Sequence, residues 1–267
     1  MRWTDRLPAL LALAIPVSAG LAFMATFGAP QTYPIINSAA LVLGVAAILL
    51  LPAIESARAW LPVGIACLAI LAAPLVTGPE VFGTTRWLPL GPFTLHAGFL
   101  AIPLLLVAAS KDERLASPLL LAALLLVWLQ PDAASAFALT LGTAGLYQAR
   151  PDWKPGVVAL IGLFITFSAA MGGELPPQPF VERVLRDAGA INIALALGLL
   201  ASLLASVLLF LTAIESLRPV RWALGGSLFG FATLAGISHY PMPLLGYGAA
   251  PILGYALALA LGRRSPS

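Results

Sequence analysis

Long apolar runs alternate with short polar connections along the whole chain. Most runs come close to the roughly 20 apolar residues that a helix needs to cross a bilayer. The pattern predicts ten membrane-spanning helices, at residues 7–27, 33–54, 60–77, 94–110, 116–130, 133–149, 155–172, 190–214, 221–238 and 243–262. No connection is long enough for a soluble domain, so we expect residues 1–267 to form one all-α, polytopic membrane domain.

The composition agrees with a lipid environment. Hydrophobic residues make up 60% of the chain and charged residues only 9%, which is too apolar for one water-soluble domain. The first run has the basic start and apolar body of a signal peptide, but its apolar part is long, and we expect it to stay as the first span. The single cysteine, Cys67, excludes an internal disulfide.

The basic residues predict the orientation of the chain. With the N-terminus inside, the inner connections hold 11 of the 14 Lys and Arg residues, and only Arg86, Arg183 and Arg186 lie outside. This asymmetry follows the positive-inside rule, so both termini are predicted to be cytoplasmic. A cysteine placed at Pro177 should then react with an outside reagent, and one placed at Ser110 should not. Because the cations are dispersed over short loops, nucleic-acid binding is not expected.

Two outer segments, residues 78–93 and 173–189, carry most of the polar chemistry outside. Both are rich in Pro and Gly and mix charged with aromatic residues. They predict turns or short interfacial helices, with Trp87 at headgroup level. In the ninth span, Gly226 and Gly230 form a G-x-x-x-G motif that favours close helix contact.

Several enzyme classes are excluded by missing motifs. The chain has no phosphate-binding P-loop, no dinucleotide fingerprint, no zinc-protease motif and no nucleophile elbow. Its two histidines, His96 and His239, have no neighbouring cluster of carboxylates, so no metal site is predicted. We interpret each histidine as a polar residue near a helix end. The sequence leaves the identity of any cofactor unknown.

Ionisable residues near the membrane surface are candidates for function, since a charge at the bilayer centre costs about 2.5–3.5 kcal/mol. Asp132 follows Pro131 at a tight turn, and Asp187 precedes a long apolar run. Each is equally consistent with a plain helix N-cap and with a functional role. If Asp132 only caps a helix, Asn should replace it without loss, whereas Leu should cost about 1 kcal/mol or more.

Four stretches resemble motifs of the shape, elongation, division and sporulation (SEDS) family, to which FtsW and RodA belong. Residues 83–91, GTTRWLPLG, resemble its G-x-x-R-W-[IL]-x-x-G segment. Residues 129–136, LQPDAASA, are similar to L-Q-P-D-L-G-T-A, and residues 240–250, YPMPLLGYGAA, to x-P-L-P-F-V-S-Y-G-G-S. Asp187 stands ten residues before Leu197 of a Leu-Gly pair, the spacing of the family's catalytic Asp in T-D-F-I-F-A.

The resemblance implies a glycosyltransferase that polymerises lipid II, or another undecaprenyl-linked precursor, at the outer face of the bacterial cytoplasmic membrane. Such proteins act in cell division, elongation or cell shape, usually beside a single-span class B penicillin-binding transpeptidase. By carry-over, Asp187 is the candidate general base, with Glu182 and Glu174 as the next candidates. The substrate-binding residues implied are Arg86, Gln130, Asp132, Arg183, Arg186 and Tyr247.

The outer arginines suit a pyrophosphate, because guanidinium groups bind phosphate oxygens in pairs. If they are exposed, Arg86→Ala or Arg183→Ala should weaken binding of a lipid pyrophosphate and leave the fold intact.

The chain also departs from the family pattern. Residues 95–98, LHAG, stand where the family has Q-P-S-E, so an acidic residue is lost, and D-F-I-F has become DAGA at residues 187–190. These changes favour a second hypothesis, a non-catalytic relative that binds lipid-linked precursors or a cell-wall synthesis partner. A third, a small-solute or lipid transporter, is disfavoured because the spans contain few ionisable residues. A structure in which Asp187 faces lipid or is buried in packing, with no cavity near it, would support the second hypothesis.

Overall fold

The computed structural model describes residues 3–91, 93–172 and 175–264, most of which are helical. In chain order, the helices and strands are α1 Leu7–Thr26, α2 Thr32–Leu50, α3 Trp60–Ala72, α4 Pro74–Thr77, β1 Trp87–Leu90, β2 Phe93–His96, α5 Ala97–Lys111, α6 Glu113–Leu129, α7 Ala133–Ala149, α8 Trp153–Ala170, α9 Val184–Ile191, α10 Ile193–Thr212, α11 Arg218–Ile237 and α12 Ala249–Gly262. Short 3-10 turns precede α1 and α3.

The ten predicted segments each coincide with a helix, the third being continued by α4. Within the described ranges, six helical stretches are long and apolar enough to cross a membrane, namely α1, α2, residues 57–77, α8, α10 and α11, and α5 and α12 are shorter apolar helices. The prediction of an all-α, polytopic membrane protein is therefore confirmed. The number of ten crossings stays a prediction.

Tertiary contacts shift several helix ends from the predicted positions. The tenth span was predicted from residue 243, but α12 begins at Ala249, because the preceding loop is held by Asn37 of α2. The Asn37 side chain donates to the Gly246 carbonyl and accepts from the Gly248 N–H, both at 3.0 Å. The eighth span is preceded by the separate helix α9, and Asn192 caps α10 by accepting from the Ala194 N–H at 2.8 Å.

The first outer segment contains a β-hairpin where turns or interfacial helices were expected. Strands β1 and β2 pair antiparallel, with Trp87 opposite His96 and Leu90 opposite Phe93. The Ala97 N–H donates to the Arg86 carbonyl at 3.0 Å, so the pairing continues to the first residue of α5. The hairpin therefore fixes Arg86 beside the N-terminus of α5.

Helices α7 and α11 form a tightly packed pair in the core. A Cβ added at Gly226 would meet the backbone of Leu141, and one added at Gly230 would lie 2.8 Å from the Ala138 Cα. These contacts confirm that the G-x-x-x-G motif mediates close helix packing, because only hydrogen at these positions leaves room for the facing backbone. The packing holds α7 rigidly, including its capped N-terminus at Asp132.

The predicted inner connections meet at one end of the bundle. The Ile54 N–H donates to the Leu261 carbonyl at 3.0 Å, and the Arg264 N–H donates to the Glu215 carbonyl at 2.9 Å. The hairpin and the loop before α12 lie together at the opposite end, where both line one cavity. The connections thus fall into two groups, as the alternation of the spans requires.

The charge asymmetry predicts which end faces the cytoplasm, and cysteine labelling tests it. Ser110 is buried and Pro177 is only partly exposed. The exposed residues Ser56 and Pro179 therefore replace them as the inner and outer labelling positions. A Pro179→Cys variant should react with an impermeant maleimide on intact cells, whereas Ser56→Cys should react only after permeabilisation. The native Cys67 is buried and contributes little background. The reverse labelling pattern would show the opposite orientation.

Candidate active site

A buried ion pair joins the first outer segment to the start of α7. The Asp132 Oδ1 atom accepts from the Ser135 N–H at 3.1 Å and lies 3.9 Å from the Arg86 Nη1 atom. The Arg86 side chain is only 2% exposed and that of Asp132 is 0% exposed. Asp132 is therefore a helix N-cap, as one of its two interpretations predicted. The expectation that Arg86 is exposed is wrong, because its guanidinium is enclosed with a carboxylate. We therefore no longer expect Arg86→Ala to leave the fold intact.

Aromatic rings hold the Arg86 guanidinium from two sides. Its central carbon lies 5.4 Å from the centre of the Trp87 ring and 5.1 Å from that of Tyr240, which is within the range of cation–π attraction. The Tyr240 hydroxyl accepts from the Ala133 N–H at 3.3 Å. The Arg86 Nε atom is buried with no hydrogen-bond partner in the described part of the chain. The three most distinctive family-like stretches thus meet around one guanidinium.

His96 completes this cluster from the start of α5. Its Nδ1 atom accepts from the Phe99 N–H at 3.4 Å, so His96 caps α5, in agreement with its interpretation as a polar residue near a helix end. Its Nε2 atom lies 3.5 Å from the Asp132 Oδ2 atom. Sequence reasoning did not find this partner, because the hairpin and the α5–α7 contact that bring the two residues together are tertiary features.

A cavity of about 700 Å³ lies beside the cluster. Its walls come from α2, the hairpin, residues 175–182 and residues 241–253, and they are largely apolar. Along α2 the lining extends from Tyr33 to Leu43, which corresponds to about 15 Å of helix. The volume is typical of small-molecule sites. The cavity therefore reaches from the loop end of the bundle down between α2 and α12.

Glu182 is the carboxylate that lines this cavity. It is buried, and its Oε2 atom accepts from the Gln178 N–H at 2.6 Å. Burial raises the pKa of Glu182, while hydrogen bonds from backbone N–H groups and the nearby Arg86 charge act in the opposite direction. The segment is fixed by a bridge between Glu182 and Pro241. Glu182 was predicted only as a second candidate for the base, and Glu174, the other one, lies outside the described residues.

Asp187, the predicted general base, lies away from the cavity. It stands on α9, with a side chain that is 43% exposed and an Oδ1 atom 3.9 Å from the Arg183 Nη2 atom. Neither residue is part of the cavity lining, and Arg186 is exposed on the same helix. The structure therefore places these three predicted site residues on α9 or at its N-cap, and none of them lines the cavity.

The other two predicted site residues have different surroundings. Gln130 is buried and donates its Nε2–H to the Leu71 carbonyl, so it joins α6 to α3 and does not line the cavity. Tyr247 does line the cavity, where its ring stacks on Tyr33 with centroids 3.8 Å apart. Only Tyr247 of the predicted set is thus in direct contact with the cavity.

The pH dependence of stability provides a test of the His96 environment. Burial, partly offset by Asp132, lowers the pKa of His96 from 6.5 to about 4. Between pH 6.5 and about pH 4 the unfolded chain binds a proton that the folded chain excludes. The free energy of unfolding therefore decreases as the pH is lowered, by at most about 1.4 kcal/mol per pH unit. We expect the melting temperature in detergent to fall more between about pH 7 and about pH 5 for the wild type than for His96→Gln. Equal falls would contradict a neutral buried imidazole.

Comparisons with known proteins agree with this architecture. No protein-family model matches the sequence, and a comparison with curated proteins gives no match. The crystal structure of the rod shape determining protein RodA of Thermus thermophilus is 23% identical, covers 94% of this chain and 93% of its own, and has a TM-score of 0.68. An Asp-to-Ala mutant of that RodA is 22% identical, with 94% of both chains covered and a TM-score of 0.69.

A third similar structure is described as the coordination of polymerization and crosslinking by a peptidoglycan synthase complex. Its matching chain is 23% identical, with 94% of this chain and 96% of that chain covered and a TM-score of 0.62. The chain therefore has the fold of RodA and is a multi-pass membrane protein. Its fold is that of a SEDS protein of the bacterial cytoplasmic membrane, which confirms at the level of fold the resemblance seen in the sequence motifs.

Proposed function

We propose that this chain is a peptidoglycan glycosyltransferase that polymerises lipid II, with Glu182 as the general base. The observation that carries the proposal is a buried carboxylate facing a cavity of about 700 Å³, with the Arg86–Asp132 pair next to it. Glycosyl transfer to a sugar hydroxyl needs a base of this kind, and a raised pKa brings a carboxylate closer to the working pH.

The proposed step moves one proton and one glycosyl group. Glu182 takes the proton of the acceptor sugar hydroxyl while the hydroxyl oxygen bonds to the anomeric carbon of the donor. The bond between that carbon and the lipid pyrophosphate breaks, and its electron pair leaves with the pyrophosphate. The charge of Arg86 acts on Glu182, and Arg86 would stabilise the charge that develops on the leaving group.

The lower part of the cavity suits the lipid portion of such a substrate. Ile36, Leu43 and Leu253 line it from α2 and α12, and Leu43 is also exposed at the surface of the bundle. A lipid chain could therefore enter sideways from the bilayer and keep its pyrophosphate near the loop end. Tyr33 and Tyr247 lie at that end, where a sugar could contact their rings.

We propose Glu182 and not Asp187 as the base because Glu182 lines the cavity and Asp187 does not. A base has to come within hydrogen-bond distance of the hydroxyl that it deprotonates. The pair of Asp187 and Arg183 lies on the surface helix α9, where it could contact lipid headgroups or the part of a substrate that extends from the cavity. Asp187→Asn is therefore the matched control for substitutions at Glu182.

Two observations favour a second candidate, a non-catalytic relative that binds lipid-linked precursors. Asp187 does not line the cavity, as this hypothesis predicts. Among the described residues that line the cavity, none is Lys or Arg. A pyrophosphate in the cavity would require the Arg86 guanidinium to turn away from Asp132. A chain that only binds a lipid would not need this movement. It would bind lipid II but form no glycan chains in a polymerisation assay.

We also propose a single-span transpeptidase as the partner of this chain. The similarity to a chain of a peptidoglycan synthase complex supports it. Helix α8 offers an apolar face for a membrane anchor, since Phe164 is 75% and Phe167 66% exposed.

The test is a polymerisation assay on the purified protein, alone and with a class B penicillin-binding protein from the same cell. Labelled lipid II should be converted to glycan chains that a gel resolves. Conversion would establish the transferase. Binding of lipid II without conversion, under both conditions, would establish the non-catalytic candidate instead.

A further inference from the structure

The close approach of α5 and α7 places His96 directly on Asp132. A Cβ added at Gly98 would collide with the Ser135 Oγ atom and lie 3.3 Å from the Asp132 Oδ2 atom. The first turn of α5 can therefore reach the N-terminus of α7 only because residue 98 is glycine. This contact brings the His96 side chain, which is 6% exposed, to the Oδ2 atom of Asp132, whereas the capping bond is to Oδ1.

The hydrogen bond at Nδ1 defines the state of the imidazole. Because Nδ1 accepts from the Phe99 N–H, it carries no proton, and the proton of the neutral ring is on Nε2. That Nε2–H faces the Asp132 Oδ2 atom at 3.5 Å. Neither atom has a hydrogen-bond partner in the described part of the chain. Each is therefore the group available to satisfy the other, and an unpaired buried donor or acceptor is costly.

The two carboxylate oxygens of Asp132 thus face different groups. Oδ1 receives the Ser135 N–H and faces Arg86, while Oδ2 faces His96. If the donor at Oδ2 is lost, the nearest remaining cation is Arg86, which would be drawn toward Asp132 and away from Glu182 and the cavity. His96 would leave Arg86 available, although it touches no substrate itself.

We propose that His96 is a positioning residue that holds the Asp132 carboxylate and thereby leaves the Arg86 guanidinium free to turn from Asp132 toward the pyrophosphate of a lipid-linked substrate. The inference rests on the proposed function for the identity of that substrate. His96 thus has a role beyond capping α5. This role requires a hydrogen-bond donor at the position of Nε2 and does not require an imidazole ring.

Two substitutions separate the capping role from the positioning role. His96→Asn keeps an acceptor near the position of Nδ1, and Asn is a good N-cap, but it has no group that reaches Asp132. His96→Gln places its amide N–H near the position of Nε2 and weakens the cap. A residue that only caps would favour Asn over Gln, and a positioning residue would favour Gln over Asn.

We expect His96→Gln to retain lipid II polymerisation within about threefold of the wild type and His96→Asn to lose tenfold or more, mainly through KM. Melting temperatures in detergent should not follow the same order, since Asn keeps the cap. Activity of His96→Asn equal to the wild type, or equal losses in both variants, would overturn the proposal.

The affinity for undecaprenyl pyrophosphate, measured with the same three proteins, gives a readout without turnover. If the wild type binds this lipid but makes no glycan, the transferase proposal fails and the order of affinities still decides the role of His96. A higher affinity of His96→Gln than of His96→Asn would support the positioning role. An affinity of His96→Asn equal to or higher than that of His96→Gln would overturn it. No binding by the wild type would overturn both proposals.

Discussion

Glu182→Gln should abolish glycan polymerisation, with a loss of at least about 100-fold in turnover. General acid–base catalysis contributes roughly this much, and the amide keeps the size of the side chain but cannot take up a proton. Glu182 is the one carboxylate that the structure places in the cavity lining among the described residues. Turnover is measured with labelled lipid II under saturating substrate.

The matched control is Asp187→Asn, which removes the same charge from the exposed surface of α9. The Asp187→Asn variant should retain most of the activity, because Asp187 does not line the cavity. Melting temperatures of both variants have to stay close to that of the wild type for the comparison to hold. An inactive Asp187→Asn beside an active Glu182→Gln would return the catalytic role to the residue that the sequence motif favoured.

Arg86→Ala should destabilise the protein by about 3–5 kcal/mol, because it leaves the Asp132 carboxylate buried without its counter-charge. Both side chains are almost fully buried, and the Trp87 and Tyr240 rings would also lose their cation. The measurement is thermal unfolding in detergent. Arg186→Ala is the control, since Arg186 is exposed, and it should change stability by less than about 0.5 kcal/mol.

Asp132 variants separate the charge from the helix cap. Asp132→Asn retains an N-cap but removes the charge that faces Arg86, so we now expect a clear loss of stability where capping alone predicted none. Asp132→Leu loses both contributions and should be the less stable of the two. An Asn variant as stable as the wild type, together with a stable Arg86→Ala, would show that the 3.9 Å pair contributes little.

Hydrophobic patterning was sufficient to predict the helices of this chain. A span needs a run of apolar residues whatever surrounds it, because its backbone is satisfied within the helix and its side chains face lipid. The capping role of Asp132 was likewise readable, since an N-cap depends on the few residues that follow it. The Gly226 and Gly230 contact was readable for the same reason, because small residues four apart form one helix face.

The composition of the site was decided by tertiary structure. His96 and Asp132 are brought together by the hairpin and by the close packing at Gly98, and Glu182 enters the cavity lining through its bridge to the loop before α12. Asp187 matches a spacing along the chain, but the direction of a side chain on a short helix after a loop depends on how that loop folds back. Sequence alone determined the membrane fold, because lipid imposes local rules. Only the packing of distant segments determined which polar residues face the cavity.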